Sequence, residues 1–201
     1  MSVDGPGAPR PLVVTLTGPE CTGKTTLARA LAARVDAAWS PEFARAYAAR
    51  RGGALTARDV GAIARGQMAA EDAALHAAAT SGSSLVVRDT DLVSTVVYAR
   101  HYYGDAPAWL VAAARARRAD LSLLCDVDLP WVADGVRDRP HDRAAMRDAF
   151  TATLEELGCR WLVLRGEGAA REEAATAVIL RAAKDLGRPV VGTRDPSLRA
   201  G

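Results

Sequence analysis

Leu12-Val-Val-Thr-Leu-Thr17 runs directly into Gly18-Pro-Glu-Cys-Thr-Gly23-Lys24-Thr25, and Thr26-Leu-Ala-Arg-Ala-Leu31 follows without a break. The first run is apolar and β-branched, as a buried strand requires, and the last has the Ala/Leu content of a helix. Between them stands the spacing G-x-x-x-x-G-K-[ST]. Glycines let the main chain wrap closely around an anion, and successive N–H groups and a helix N-terminus then face phosphate oxygens. A lysine at this spacing reaches the outer phosphates, and the following hydroxyl can ligate Mg²⁺. This reading places Gly18, Glu20, Cys21, Thr22, Gly23, Lys24, Thr25 and Thr26 at a nucleoside triphosphate, with Lys24 catalytic and Thr25 on the metal. The competing reading is a Gly-rich turn of an arbitrary α/β protein. Composition weighs against it: the chain has 26 cationic side chains, of which only Lys24 and Lys184 are lysines. A chain that uses Arg for generic positive charge has kept a Lys here.

Working outward, further strand-sized apolar runs occur at 84–88, 121–125 and 161–164, with a weaker one at 37–39. Helical stretches separate them at 25–35, 42–51, 57–79, 92–103, 107–118, 143–157 and 169–186. Strands alternating with helices imply right-handed crossovers and a mainly parallel sheet covered on both faces, with ligands collecting beyond the C-terminal strand ends. The expected fold class is α/β, one domain over residues 11–187, flanked by Gly-, Pro- and charge-rich tails at 1–10 and 188–201.

Composition removes other classes. With 201 residues, 49% of them apolar, the chain can bury a sizeable core and is not of the disordered type. No apolar stretch approaches the roughly 18 residues of a membrane span, and the N-terminus has no charged-then-apolar leader pattern, so a cytoplasmic protein with no membrane partner is expected. Cys21, Cys125 and Cys159 are odd in number and scattered, which argues against a disulfide framework or zinc site. A net charge of +2, spread along the chain, gives no basic stripe for nucleic acid. There is no Asn, which removes an Asn-Lys-x-Asp guanine-reading loop. A motor would need more chain or a partner domain, which leaves a small-molecule kinase using a nucleoside triphosphate and Mg²⁺ as the economical reading. Oligomeric state is left open, a homo-oligomer included.

The acceptor side rests on carboxylates. Arg88-Asp89-Thr90-Asp91 closes the second strong strand, where an Asp can hold Mg²⁺ and another carboxylate can take the acceptor proton. Against this stand a helix cap for Asp91, equally favoured, and an Arg partner for Asp89, less favoured. Glu42 and Arg45, in Pro41-Glu-Phe-Ala-Arg45, are a second candidate; their alternative is an ordinary i,i+3 ion pair. Asp128 to Arg143 is polar, contains Gly and is rich in Arg. It suits a lid over about 131–143 carrying Arg137 and Arg143, or else a connector of mutually paired Asp and Arg. Trp131, Tyr98, Tyr102 and Tyr103 offer faces for a flat acceptor base. Trp109 and Trp161 read as core.

Taken together, Gly18 to Thr25, Pro41-Glu-Phe-Ala-Arg45, Gly66-Gln67, Asp89-Thr-Asp91 and Pro130-Trp-Val-Ala-Asp-Gly-Val-Arg137 resemble the ribosylnicotinamide kinase domain of NadR-type NAD-biosynthesis proteins, over about residues 12–186. The resemblance implies a P-loop NTPase three-layer sandwich of nucleoside- and nucleotide-kinase type with an Arg-containing lid. It implies ATP-dependent phosphorylation of nicotinamide riboside to nicotinamide mononucleotide, a cationic acceptor suited to carboxylates and aromatic faces. On that likeness Glu42, Arg45, Asp89, Asp91, Tyr98, Tyr102, Trp131 and Asp134 face the acceptor. Asp89 joins Thr25 on Mg²⁺, Lys24, Asp89, Glu42 and Arg137 are catalytic, and Arg137 and Arg143 meet the nucleotide. The helix-turn-helix and adenylyltransferase domains of some NadR-type proteins have no room in 201 residues. Two alternatives remain: a kinase for another nucleoside or nucleoside monophosphate, with Arg45 or Arg88 meeting the acceptor phosphate, and a non-catalytic nucleotide-binding regulatory module.

Overall fold

The computed structural model describes residues 10–128 and 143–188. In chain order the elements are β1 (Leu12–Thr17), α1 (Lys24–Arg34), β2 (Ala38–Ser40), α2 (Phe43–Arg51), a 3-10 turn (Ala57–Asp59), α3 (Val60–Ser81), β3 (Leu85–Asp89), α4 (Leu92–Tyr103), α5 (Ala108–Ala116), β4 (Leu121–Cys125), α6 (Arg143–Glu156), β5 (Trp161–Leu164) and α7 (Gly168–Asp185). The expected α/β alternation is present, and the weak strand at 37–39 is real, displaced by one residue.

The sheet has the order β2-β3-β1-β4-β5 with every neighbouring pair parallel. Alternation along the strands assigns the two faces. Leu12, Val14, Leu16, Leu85, Val87, Leu121 and Leu123 pack with α1 and α7 on one side. Val13 and Val86 meet Ala74 and Ala78 of α3 on the other, where α4, α5 and α6 gather around Phe150 and Leu154. Burying both faces explains why β1, β3 and β4 read as continuous apolar runs, whereas the edge strand β5 leaves Leu162 and Val163 exposed. The same alternation splits two adjacent charged residues at the end of β3: Arg88 points to the α3 side and Asp89 to the α1 side.

Trp109 corrects an expectation. It is 44% exposed rather than core. The inward residues of α5 are Leu110 and Ala114, one turn apart, so its neighbour at 109 falls outside the apolar stripe. Trp161 packs, half-buried, against the α4–α6 cluster. Among the described residues no helix is long and apolar enough to cross a membrane.

Candidate active site

The strand order reverses direction about β1, and there the first crossover leaves the sheet. Gly18 has φ +128°, and a Cβ on it would lie 2.8 Å from the Cys125 carbonyl oxygen, so only glycine lets the loop leave β1 against the end of β4. The loop ends at Gly23, which caps α1. Within it the Pro19 carbonyl accepts hydrogen bonds from Thr22 Oγ1 at 2.8 Å and from Lys24 Nζ at 2.6 Å. Cys21 adopts a left-handed backbone, φ +56°.

Two arginines brace the loop from distant parts of the chain. Arg171 of α7, 4% exposed, donates to the Thr22 carbonyl at 2.9 Å and to the Leu164 carbonyl of β5 at 3.1 Å. Arg143, at the start of α6, donates to the Cys21 carbonyl at 3.4 Å. Guanidinium groups thus occupy two loop carbonyls whose lone pairs would otherwise oppose an anion.

Asp89 stands beside this loop, 1% exposed, hydrogen-bonded to the Thr25 side chain. Burial raises its pKa, as does the nearby Glu42 carboxylate, while Thr25, Lys24 and Arg45 act in the opposite direction. Its Oδ1 has no hydrogen-bond partner. A buried, unpartnered carboxylate oxygen next to a hydroxyl is a donor pair suited to a hard divalent cation. Asp91, by contrast, caps α4: its side chain accepts from the Val93 N–H at 2.9 Å, and burial raises its pKa. The capping geometry weighed from the sequence is the one present.

Arg88 is withdrawn from the acceptor. It is 3% exposed, pairs with Glu71 of α3 at 3.4 Å and donates to the Arg117 carbonyl at 2.9 Å. The expectation that it could meet an acceptor phosphate therefore fails, because strand alternation points it through the opposite face. Glu71 is shared with Arg117 at 3.2 Å, yet burial still lifts its pKa to about 7.

From the phosphate loop a continuous cavity of about 650 Å³ extends toward α4. One wall is the loop from Glu20 to Thr26; the opposite wall brings Tyr98, Tyr102 and Tyr103 of α4 against Val60 and Ile63 of α3. Tyr98 and Tyr102 stack with centroids 6.1 Å apart at 11°. Glu42 and Arg45 sit between the two walls, joined by an ion pair of 3.3 Å. Both the i,i+3 pair and the cavity position are therefore present together. Trp131, Asp134 and Arg137 lie outside the described residues, as does the 131–143 lid apart from Arg143.

Two residues of this site escaped the sequence reading. Arg171 gave no local signal, being one Arg among many. Gln67 was quoted only within a motif, although it is the sole Gln of a chain without Asn, the same rarity that singled out Lys24. It lines the cavity at 2% exposure. Gly66 beside it has a steric reason: a Cβ there would lie 2.1 Å from the Phe43 ring, so glycine permits α2 to lie close on α3.

A parallel sheet with a glycine-lysine loop at its reversal point defines a P-loop nucleotide-binding protein. More narrowly, the chain belongs to the AAA domain family, which matches residues 13–171. It is similar to the trifunctional NAD biosynthesis/regulator protein NadR of Salmonella typhimurium and of Escherichia coli, 32% identical to each over 149 residues, covering 71% of this chain and 35% of each relative. Among solved structures it resembles NadR in complex with NR (TM-score 0.69, 26% identity, 86% of this chain and 50% of that one). A NadR complex with NAD and AMP-PNP gives TM-score 0.68 and 25% identity over 92% of this chain and 52% of that one. Thymidylate kinase of Ehrlichia chaffeensis shares the fold at TM-score 0.65 and 15% identity, over 85% of this chain and all of that one. The chain spans about a third of the curated relatives' length and about half of the NadR structures.

Proposed function

We propose that this chain is an ATP-dependent small-molecule kinase that phosphorylates nicotinamide riboside to nicotinamide mononucleotide. The observation that carries the reading is the single cavity joining a phosphate-binding loop to a tyrosine-lined pocket, with Glu42 and Arg45 at the junction and Asp89 behind it. The NadR relatives, one of them solved with NR, support this acceptor.

In the proposed chemistry the acceptor hydroxyl oxygen forms a bond to the γ-phosphorus, the β–γ anhydride bond breaks, and the hydroxyl proton passes to a carboxylate. Glu42 is assigned that role because it lines the cavity between the phosphate loop and the tyrosines. Asp89 and Thr25 would hold Mg²⁺, which when bound neutralises charge on the transferred phosphoryl group. Lys24 turns from the Pro19 carbonyl to the phosphates, where its ammonium stabilises charge developing in transfer. The stacked tyrosines offer π faces to a cationic nicotinamide ring. Of the two arginines offered to the monophosphate-kinase reading, Arg88 faces the other side of the sheet and Arg45 is paired with Glu42.

The test is coupled ATP turnover with nicotinamide riboside, thymidine, uridine and their monophosphates. Turnover preferring the riboside is expected. A riboside rate equal to the ATP-only background overturns the assignment, and tight ATP binding with background turnover for every acceptor would favour the regulatory module.

A further inference from the structure

Gln67 occupies a place that the phosphotransfer chemistry does not itself require. Its Oε1 accepts the Phe43 N–H at 3.0 Å, and its Nε2 donates to the Thr90 carbonyl at 3.4 Å. The two partners fix the orientation of the amide: one side needs an acceptor, the other a donor, so a carboxylate, which only accepts, could not replace it unchanged. Phe43 opens α2 directly after Glu42, and Glu42 makes no side-chain cap to that helix. Thr90 directly follows Asp89. One buried carboxamide on the long helix α3 therefore holds the main chain beside both of the candidate carboxylates.

The surroundings make this a rigid arrangement. Thr90 has a left-handed backbone, φ +69°, a conformation costly for a β-branched residue that must be held from outside. Its N–H donates to the Leu16 carbonyl of β1 at 3.0 Å, and its carbonyl is held by Gln67. On the other side, the lack of a side chain at Gly66 seats the Phe43 ring against α3. The N-terminal N–H of a helix ordinarily lacks an intrahelical partner, and here Gln67 supplies one.

We propose that Gln67 is a positioning residue: its carboxamide clamps the start of α2 to the turn after β3 and so sets the placement of Glu42 relative to Asp89 and the phosphate loop. This rests on the phosphotransfer reading above. Displacement of a reacting group by about 1 Å can cost on the order of 10²-fold in rate, so a clamp on two carboxylates acts on turnover more than on nucleotide affinity.

The experiment compares Gln67→Met, close in shape but unable to make either bond, and Gln67→Ala with the wild-type chain. Expected for Gln67→Met are a fall in kcat of about tenfold or more and a KM for ATP within about twofold. Amide exchange at Phe43 should become roughly tenfold faster, without acceleration in the core strands. In a double-mutant cycle with Glu42→Gln the two losses should combine to less than their product. A folded variant with wild-type kcat overturns the proposal whatever the exchange shows. Loss of ATP binding in parallel with turnover, or failure of both variants to fold, assigns Gln67 to the core and also overturns it. If the wild-type chain itself transfers no phosphate to any acceptor, the functional reading falls. Exchange at Phe43 still decides whether the carboxamide holds the two backbones.

Discussion

The two ends of the cavity are built by opposite means. At the phosphate end the cavity is lined by one continuous stretch of loop and helix start, its main chain shaped by Gly18 and Gly23, its side chains Lys24 and Thr25 adjacent in sequence, and its carbonyls held by Arg171 and Arg143. At the acceptor end the lining consists of side chains from three helices, Glu42 and Arg45 of the α2 start, Gln67 and Ile63 of α3, and the tyrosines of α4. The first end is specified locally, and in the proposed function it grips polyphosphate. The second exists only after α2, α3 and α4 have docked, and its shape can vary without disturbing the loop. A locally encoded loop of this kind places few demands on the side chains at the other end of the cavity.

This contrast can be broken at either end. The largest effect is expected at the phosphate end: Lys24→Ala should lower turnover about 10²–10³-fold while leaving thermal unfolding unchanged, because the side chain caps a carbonyl and packs little. Normal turnover in the folded variant would remove the loop from the chemistry. Next comes Asp89, behind the junction. Asp89→Asn should reduce kcat by roughly 10²-fold and raise the Mg²⁺ concentration needed for half-maximal rate. A rise confined to the acceptor KM would move Asp89 to the acceptor end.

At the acceptor end Gly66→Ala should cost about 1–3 kcal/mol of stability by forcing the Phe43 ring away, and it should raise the acceptor KM while ATP binding persists. Equal losses of ATP and acceptor binding would show that the ends are mechanically one unit. The smallest effect is a pH dependence. Asp59 accepts from the Thr56 N–H and hydroxyl, both at 2.8 Å, and from Tyr47 and Arg51, both at 2.9 Å, which holds its carboxyl well below the ordinary 3.8. A depressed folded-state pKa contributes stability above the ordinary value that is lost as pH falls below it. Urea midpoints measured from pH 5 down to 2 should therefore fall less steeply in Asp59→Asn than in the wild-type chain. The early acid loss in the wild type should appear in α2 and α3 by amide exchange. Identical slopes in both proteins would show that this linkage contributes nothing.

Most elements of the sheet and its helices were legible in the sequence because the central strands are continuous apolar runs and the longer helices bury a periodic apolar face, both local properties of side-chain order. Leu12–Thr17, Leu121–Cys125 and Trp161–Leu164 have the expected bounds, and α4 spans the expected Leu92–Tyr103. The phosphate loop was legible for a related reason, since its function resides in backbone geometry encoded by adjacent residues. Arg88 and Asp89 show the boundary of such reading. They are neighbours in sequence, yet strand alternation sends one to Glu71 and the other to Thr25, and which face held the ligand was not written in either residue.

By itself, then, the amino-acid sequence determined a parallel α/β domain with an anion-gripping loop, because patterning and short-range turn chemistry need no distant partner. Only the tertiary structure decided that Arg171 supports that loop from 149 residues away, that Gly66 and Gln67 seat α2, and that Asp91 caps a helix while Asp89 keeps an oxygen unpartnered. Those outcomes depend on which faces meet when the helices dock. Contacts of that range come from burial and the satisfaction of polar groups across the whole core, and no local spacing records them.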